Sequence, residues 1–428
     1  MFKLRYNALA IIQVMVLLFN TIFLIRIFGA SYQSDAYLMA VSIIDAIGLL
    51  QLMLVEQFMY FYHDLKLENP EKAHSFYNSS LFLSIGSGII LLVILFFGIN
   101  LWVKLFAFDL SGERLSLLIN VVSIMVFGVV FYSANYVNQR VLNAEMQFSI
   151  PYLLEISYAL FISISLVYVM FTNQFNIQLL AYARVIGIFA VFIIGLYFVK
   201  GVGIPIRLTF NSYMMKEFVS NSFTMRLGHN IHNLLFSPIT TNILSSFPVG
   251  FASCFYYAQM IIYAINSIVV GPSNRVLLSK VSEVWSKKLI SQIPEIMKKY
   301  LKNTVPIFIL TVIISYLIIP YVLNLISSGS LSLSDIDLIK YVFVGLAVWY
   351  GIILIESAFV SVGSASKNSR IFIFTNSIFI IIFFCISFYF KDMFGLLVIP
   401  LAAIIAQIVN FIFYTRFAVK IIRDHSEK

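Results

Sequence analysis

Lys216–Leu244 reads KEFVSNSFTMRLGHNIHNLLFSPITTNIL. The segment exceeds the roughly 20 helical residues needed to cross the hydrocarbon core of a bilayer. Ser222, Arg226, His229, Asn230, Asn233, Ser237 and Thr241 recur at helical spacing and fall along one stripe, while Phe223, Leu227, Ile231, Leu234 and Leu235 occupy the other side. A stripe this polar is costly against lipid, so it faces water, protein or a bound solute. The segment is therefore read as an amphipathic spanning helix lining a polar interior, and in a chain this apolar such a helix points to transport.

The rest of the chain supplies the membrane setting. Hydrophobic residues make up 61% of 428 and charged residues 11%, with a mean hydropathy of +0.95. A soluble domain cannot bury that much apolar surface. Twelve runs approach spanning length: 8–28, 36–60, 79–99, 115–137, 150–171 and 177–199 in the first half, then 216–244, 250–274, 304–326, 339–361, 370–390 and 394–416. The expected architecture is an all-α integral membrane protein of about 12 transmembrane helices. It divides into a first six-helix bundle over 1–200, a cytoplasmic linker over 201–215 and a second bundle over 216–428.

Lys and Arg stay preferentially on the cytoplasmic side of a membrane protein. With both termini inside, the outer loops hold only Lys104, Arg114, Lys340 and Lys391 of the 28 basic residues, and Arg26, Arg184 and Arg226 lie within or at the ends of spans. The net charge of +9 is thus mostly topology, which leaves a nucleic-acid reading little to explain. The charged N-terminus with its apolar run lacks a small-residue cleavage site and is kept as the first span. Cys254 and Cys385 both sit in spans and make no disulfide framework.

The longest gap, 275–303, is basic and helix-prone. Val281, Val284, Trp285, Leu289, Ile293, Ile296 and Met297 alternate there with lysines in a pattern that suits a helix lying along an anionic inner leaflet, or an ordinary basic connector. The halves also echo each other. Pro70-Glu71 after the second span and Pro294-Glu295 after the eighth lie 224 residues apart, and the polar loops 143–149 and 363–369 agree at about 220. Two repeated six-span bundles would place a central cavity at their interface, as in many secondary transporters.

Arg26-Ile27-Phe28-Gly29-Ala30, followed by Ser34-Asp35-Ala36-Tyr37, opens the second span. Val249-Gly250-Phe251-Ala252-Ser253, Tyr256-Tyr257-Ala258 and Leu277-Leu278-Ser279-Lys280 mark the eighth. These stretches resemble the MviN/MurJ-type lipid II flippases. The resemblance implies the multidrug/oligosaccharidyl-lipid/polysaccharide (MOP) exporter superfamily, which also holds Wzx-type O-antigen flippases and MATE drug antiporters. It implies two six-helix bundles, alternating access and no enzymatic activity. The chain departs from the lipid II pattern where that family carries arginines: the mid-span arginine of the first helix falls on Asn20, the one after the Tyr-Ala pair falls on Met260, and the second span has Asp45, Gln51 and Glu56 in place of an arginine pair. Twelve spans and a rearranged charge set fit a flippase for polysaccharide units, serving lipopolysaccharide O-antigen, another surface polysaccharide or cell-wall synthesis.

A diphosphate head group leaving water needs cationic and hydrogen-bonding partners, and Arg offers a planar fork suited to phosphate. Arg226 is the leading candidate for first contact, with His229, Asn230 and Asn233 on the same face. Arg184 and Arg26 lie nearer the far side, and Asn20 joins the asparagines as a partner for sugar hydroxyls. Arg26 is equally well placed to snorkel to the interface, and His232 lies off the stripe as a packing residue. Asp35 is expected to cap the second helix. Asp45 is deeper, where an ionised carboxylate is costly, so Asp35 and Asp45 are the candidates for coupling to H⁺ or Na⁺. Gly86 and Gly88 are expected to allow close helix approach.

The expected partners are a lipid-linked (undecaprenyl-diphosphate-type) oligosaccharide, membrane lipid, a coupling ion and glycan-assembly proteins. The expected location is the bacterial inner membrane, with both termini cytoplasmic. No cofactor or metal motif, phosphate loop or activated nucleophile stands out. A membrane-embedded glycan polymerase would carry a sizeable arginine-bearing outer loop, which this chain lacks. A MATE-like drug/cation antiporter, using Asp35 and Asp45, is the rival within transport.

Overall fold

The computed structural model describes the backbone of residues 2–55, 57–172, 174–207, 210–366 and 369–426, and their side chains except at 2–8, 10, 60, 212–214, 221–231, 233, 369–370 and 425–426. Among the described residues there is helix and no strand. The first half holds α1 (Phe2–Phe28), α2 (Tyr32–Leu52), α3 (Phe58–Glu68), α4 (Pro70–Phe97), α5 (Ile99–Phe106), α6 (Gly112–Met125), α7 (Val129–Ala144), α8 (Ser149–Thr172) and α9 (Gln178–Gly201). The second holds α10 (Ser212–Ser245), α11 (Phe251–Ile265), α12 (Gly271–Ser286), α13 (Ile293–Ser327), α14 (Leu333–Ala365), α15 (Ser369–Phe394) and α16 (Val398–Ser426). A 3₁₀ turn joins α6 to α7 and a π-helical turn, Asn266–Val270, joins α11 to α12. Pro272, which cannot donate to the turn behind it, follows that π turn. Pro306 and Pro320 lie inside α13, which continues through both.

Ten described segments are long and apolar enough to cross a membrane, and the last of them, Ile371–Asp424, contains both α15 and α16. Among the described residues of α10, Leu234–Ser245 is a shorter apolar helix. Counting α10 gives the twelve rods expected from hydropathy.

The chain falls into two compact units, Met1–Arg226 and Leu227–Lys428, so the division runs through α10. Each unit repeats the same neighbour relations. In the first, α4 packs on α7, α8 on α9, α7 on α9 and α2 on α7; in the second, α13 packs on α14, α15 on α16, α14 on α16 and α11 on α14. The turn into the second rod of each unit uses a glycine with positive φ: Gly29 at 54° and Gly250 at 88°, 221 residues apart. The internal repeat is structural as well as sequential.

At the first of these turns Ser31, not Asp35, caps α2. Its Oγ accepts from the Ser34 backbone N–H at 3.3 Å, and the Ser34 Oγ accepts from the Ser31 N–H at 3.0 Å. Asp35 lies one residue further in, where its carboxylate suits the helix N-terminus.

Aromatic rings dominate the core of the first unit. Phe58, Phe76 and Phe218 are fully buried, with the Phe76 and Phe218 rings edge to face at 5.0 Å and Phe61 against Phe218 at 5.5 Å. Phe218 belongs to α10, so the first turns of that helix complete the core of the first unit. Gly88 lets α4 meet α7, since a Cβ there would lie 2.6 Å from the Val130 carbonyl oxygen, whereas one at Gly86 would meet nothing. The close approach expected of both glycines is therefore made by Gly88 alone.

The segment 275–303 is no separate surface helix. α12 and α13 extend toward each other and leave a short turn at Lys287–Leu289. Val281, Ile293 and Met297 are drawn inward by a shared core with Ala358, Val362 and Ala418 of α14 and α16.

Candidate functional site

Four helices of the first unit each turn one stripe toward a cavity of about 420 Å³. α2 contributes Asp45 and Leu52, one heptad apart. α7 contributes Tyr132, Asn135, Tyr136 and Gln139 at the i, i+3, i+4, i+7 spacing of a single face. α8 contributes Leu154, Glu155 and Tyr158, and α9 contributes Arg184, Ile188 and Val191. The lining is thus aromatic and amide-bearing, with one acid–base pair at its heart.

The pair joins residues distant in sequence. An Arg184 terminal nitrogen donates to Asp45 Oδ1 at 2.5 Å, with the guanidinium side chain 12% exposed and the carboxylate 44%. The guanidinium carbon also sits 5.6 Å from the Tyr158 ring centroid, and buried Tyr37 lies close enough to interact with the same group. Asp45 therefore holds one edge of a largely desolvated cation. Among the described residues Arg184 Nε, Tyr158 Oη and Asn135 Oδ1 have no hydrogen-bond partner, although all three residues line the cavity. Asn135 is fixed by its amide nitrogen, which donates to the Ile188 carbonyl at 3.0 Å. The set offers a cationic donor, a hydroxyl and an amide acceptor, which suits an anionic and hydroxyl-rich guest. Tyrosine faces beside them suit the apolar face of a sugar ring.

Just past the end of α7, Glu145 accepts from Lys66 of α3 at 2.7 Å and from the Tyr62 hydroxyl, also of α3, at 2.7 Å. Burial opposes ionisation of Glu145, yet the bonds from Lys66 and Tyr62 outweigh it and hold the carboxyl below its ordinary range. Arg140 donates to the Tyr136 hydroxyl at 2.5 Å and lies 4.4 Å from that ring's centroid. Gln13 of α1 donates to Glu155.

The residues expected from sequence distribute unevenly. Arg184 and Asp45 come together in the cavity. Asn20 does not join them: its amide donates to the Ala159 carbonyl at 2.9 Å and accepts from Ser163 Oγ at 2.6 Å, which ties α1 to α8. Arg26 is exposed in the last turn of α1, where a cation suits the helix C-terminus. Asp35 is 2% exposed and faces Arg114 of α6 at 3.6 Å. The side chains of Arg226, His229, Asn230 and Asn233 lie outside the described residues. His232 sits among Phe379, Phe236 and Trp349, with centroids at 4.3, 5.4 and 6.3 Å, as a packing residue does.

The α7 stripe was missed from sequence because tyrosine, asparagine and glutamine are unremarkable one at a time. Its i, i+3, i+4, i+7 spacing was the available signal. A second polar cluster lies in the other unit. Buried Glu356 of α14 accepts from Gln407 Nε2 at 2.7 Å, and Gln407 accepts from Trp349 Nε1 at 3.0 Å. No group of three or more His, Cys, Asp or Glu side chains placed to hold a metal occurs among the described residues.

The family model for the lipid II flippase MurJ matches residues 24–427. No curated protein matches the chain. Among solved structures, lipid II flippase MurJ in an inward closed conformation superposes with a TM-score of 0.80 at 18% identity, covering 97% of this chain and 87% of that one. An inward-facing MATE-family multidrug resistance transporter of the MOP superfamily gives 0.77 at 16% identity, covering 99% of each chain. A MOP-superfamily transporter from Pyrococcus furiosus gives 0.65 at 16% identity, covering 97% and 95%. At these identities the superpositions establish the fold alone.

Proposed function

The chain belongs to the lipid II flippase MurJ family, and from that membership we propose that it carries a lipid-linked saccharide from the cytoplasmic to the outer leaflet of a bacterial inner membrane by alternating access. The family makes it a membrane transporter and not an enzyme. The single observation that carries the reading is the family match across nearly the whole chain. The cavity of the first unit supports it with chemistry: Arg184 to meet a phosphate oxygen, and Asn135, Gln139 and tyrosines to meet sugar. Arg226, His229, Asn230 and Asn233 are proposed from their shared helical face as further contacts, with the N- and C-termini cytoplasmic.

The substrate we favour is an undecaprenyl-diphosphate-linked oligosaccharide, because the arginine positions of the lipid II pattern fall on Asn20 and Met260 in this chain. The name of the family favours lipid II itself as the second reading. Reconstitution in vesicles separates them. Purified protein given fluorescent undecaprenyl-diphosphate oligosaccharide and, separately, lipid II should expose the oligosaccharide in the far leaflet faster. Faster movement of lipid II would exchange the two readings. Exchange of a small organic cation for H⁺ or Na⁺, with neither lipid moved, would replace both by a drug antiporter. Arg226→Ala should abolish movement at unchanged membrane levels; unaltered movement would remove Arg226 from the substrate path.

A further inference from the structure

The second unit contains an apolar groove of about 700 Å³ between the first turns of α13 and the last turns of α16, with α14 as its floor. Met297, Leu301, Phe359, Val419 and Ile422 supply its walls. Met297 and Phe359 belong to, or pack on, the buried cluster that joins α12, α13, α14 and α16, so the groove rests on a rigid base. Three cations line the same groove: Lys298 and Lys302, one helical turn apart on α13, and Arg423 on α16. All three are exposed.

This pairing selects its occupant. Hydrocarbon walls reward an apolar chain, and lysines with an arginine fork reward a phosphate. A soluble anion would leave the walls unused, and a zwitterionic lipid would gain little net attraction from the cations. An amphiphile with an acidic head satisfies both parts, and such molecules surround a membrane-spanning chain. We propose that this groove is a binding site for an anionic glycerophospholipid, whose phosphate meets Lys298, Lys302 and Arg423 while its acyl chain lies along Leu301, Phe359 and Val419. The bound lipid clamps α13 to α16 and steadies the second unit. This site is separate from the cavity beside Arg184.

Native mass spectrometry of the purified full-length protein, titrated with phosphatidylglycerol and with phosphatidylcholine, tests the assignment. The wild type should retain phosphatidylglycerol in preference. K298Q/K302Q/R423Q should weaken that retention about tenfold, and Val419→Trp, at an exposed position, should weaken it by filling the groove without changing charge. The matched variant K280Q/K288Q/K299Q, whose lysines lie outside the groove, should bind as the wild type does. Equal retention of the two lipids, or an equal loss in the matched variant, would reduce the effect to diffuse surface charge and overturn the proposal. Soluble glycerol phosphate competing as well as the lipid would make the groove an anion site only, and preference for undecaprenyl phosphate would assign it to the carrier lipid; either result also overturns it.

Discussion

Arg184 and Asp45 are the two residues on which the cavity turns, and their energetics separate structure from transport. Removing Asp45 leaves a guanidinium in surroundings where it is 12% exposed, so Asp45→Asn should destabilise by about 1–3 kcal/mol. Arg184→Gln strands a carboxylate that is 44% exposed, and water should hold that cost near the lower end of the range. The double variant D45N/R184Q, an amide pair of similar shape, should recover most of the melting temperature yet move no lipid-linked saccharide. Thermal melts in detergent and a vesicle flipping assay on the same preparations check this; recovered transport in the double variant would reduce the pair to packing. Glu145 gives a pH dependence. Its folded carboxyl titrates below its ordinary value, so its stabilising contribution is complete above the unfolded value and is lost as pH falls through the lowered folded one. Melting curves on the acid side should show Glu145→Gln already lacking this contribution and therefore flatter than wild type. The individual charges were legible in the chain, but their partners were not. Arg184 lies on the sixth span and Asp45 on the second, and no local pattern links positions so far apart. Asn20 shows the converse: a polar residue in a span looked like a substrate contact, but both ends of its amide are engaged by α8.

At the scale of elements, helix contacts are set by which glycine faces which backbone. A methyl at Gly88 would lie 2.6 Å from the Val130 carbonyl oxygen and 2.7 Å from its Cα. Backbone cannot rotate away as a side chain can, so Gly88→Ala must push α4 off α7 and should cost about 1–3 kcal/mol. Gly86→Ala meets open space and should be neutral or stabilise α4 by up to about 1 kcal/mol through helix propensity. Parallel melts of the two variants check the contrast, and equal effects would refute the packing argument. Two glycines two residues apart look alike in sequence, because a 100° step per residue sends them to different faces and nothing local says which face meets α7. The rods themselves were legible for a simpler reason. Each must satisfy its backbone internally and present about 20 apolar residues to lipid, a demand written into composition. The 275–303 segment reads equally well as a leaflet helix or a basic connector, because apolar residues at helical spacing fit a lipid surface and a protein core alike, and only the positions of α14 and α16 decide what they pack on.

For the whole molecule, the repeated neighbour relations and the paired glycine turns make each unit a version of the other, and α10 is where the two meet in the chain. Sequence patterning placed the boundary before residue 216, at the polar linker, since hydropathy marks where a rod begins and not which core it enters. The contact division falls at Arg226 because Met215 and Phe218 are 2% and 0% exposed within the aromatic core of the first unit. Phe218 packs edge to face against both Phe61 and Phe76. Removing a buried phenylalanine costs about 3–5 kcal/mol, a large share of the roughly 5–15 kcal/mol that holds a folded protein together. A fragment ending at Gly203 should therefore melt broadly or aggregate in detergent, whereas one extended to Arg226 should show a cooperative transition, and Phe218→Ala in the longer fragment should return it to the behaviour of the shorter. Differential scanning fluorimetry of the three proteins decides the matter. Matching transitions in the two unsubstituted fragments would mean that α10 contributes nothing to the first unit and that the boundary lies at the linker after all.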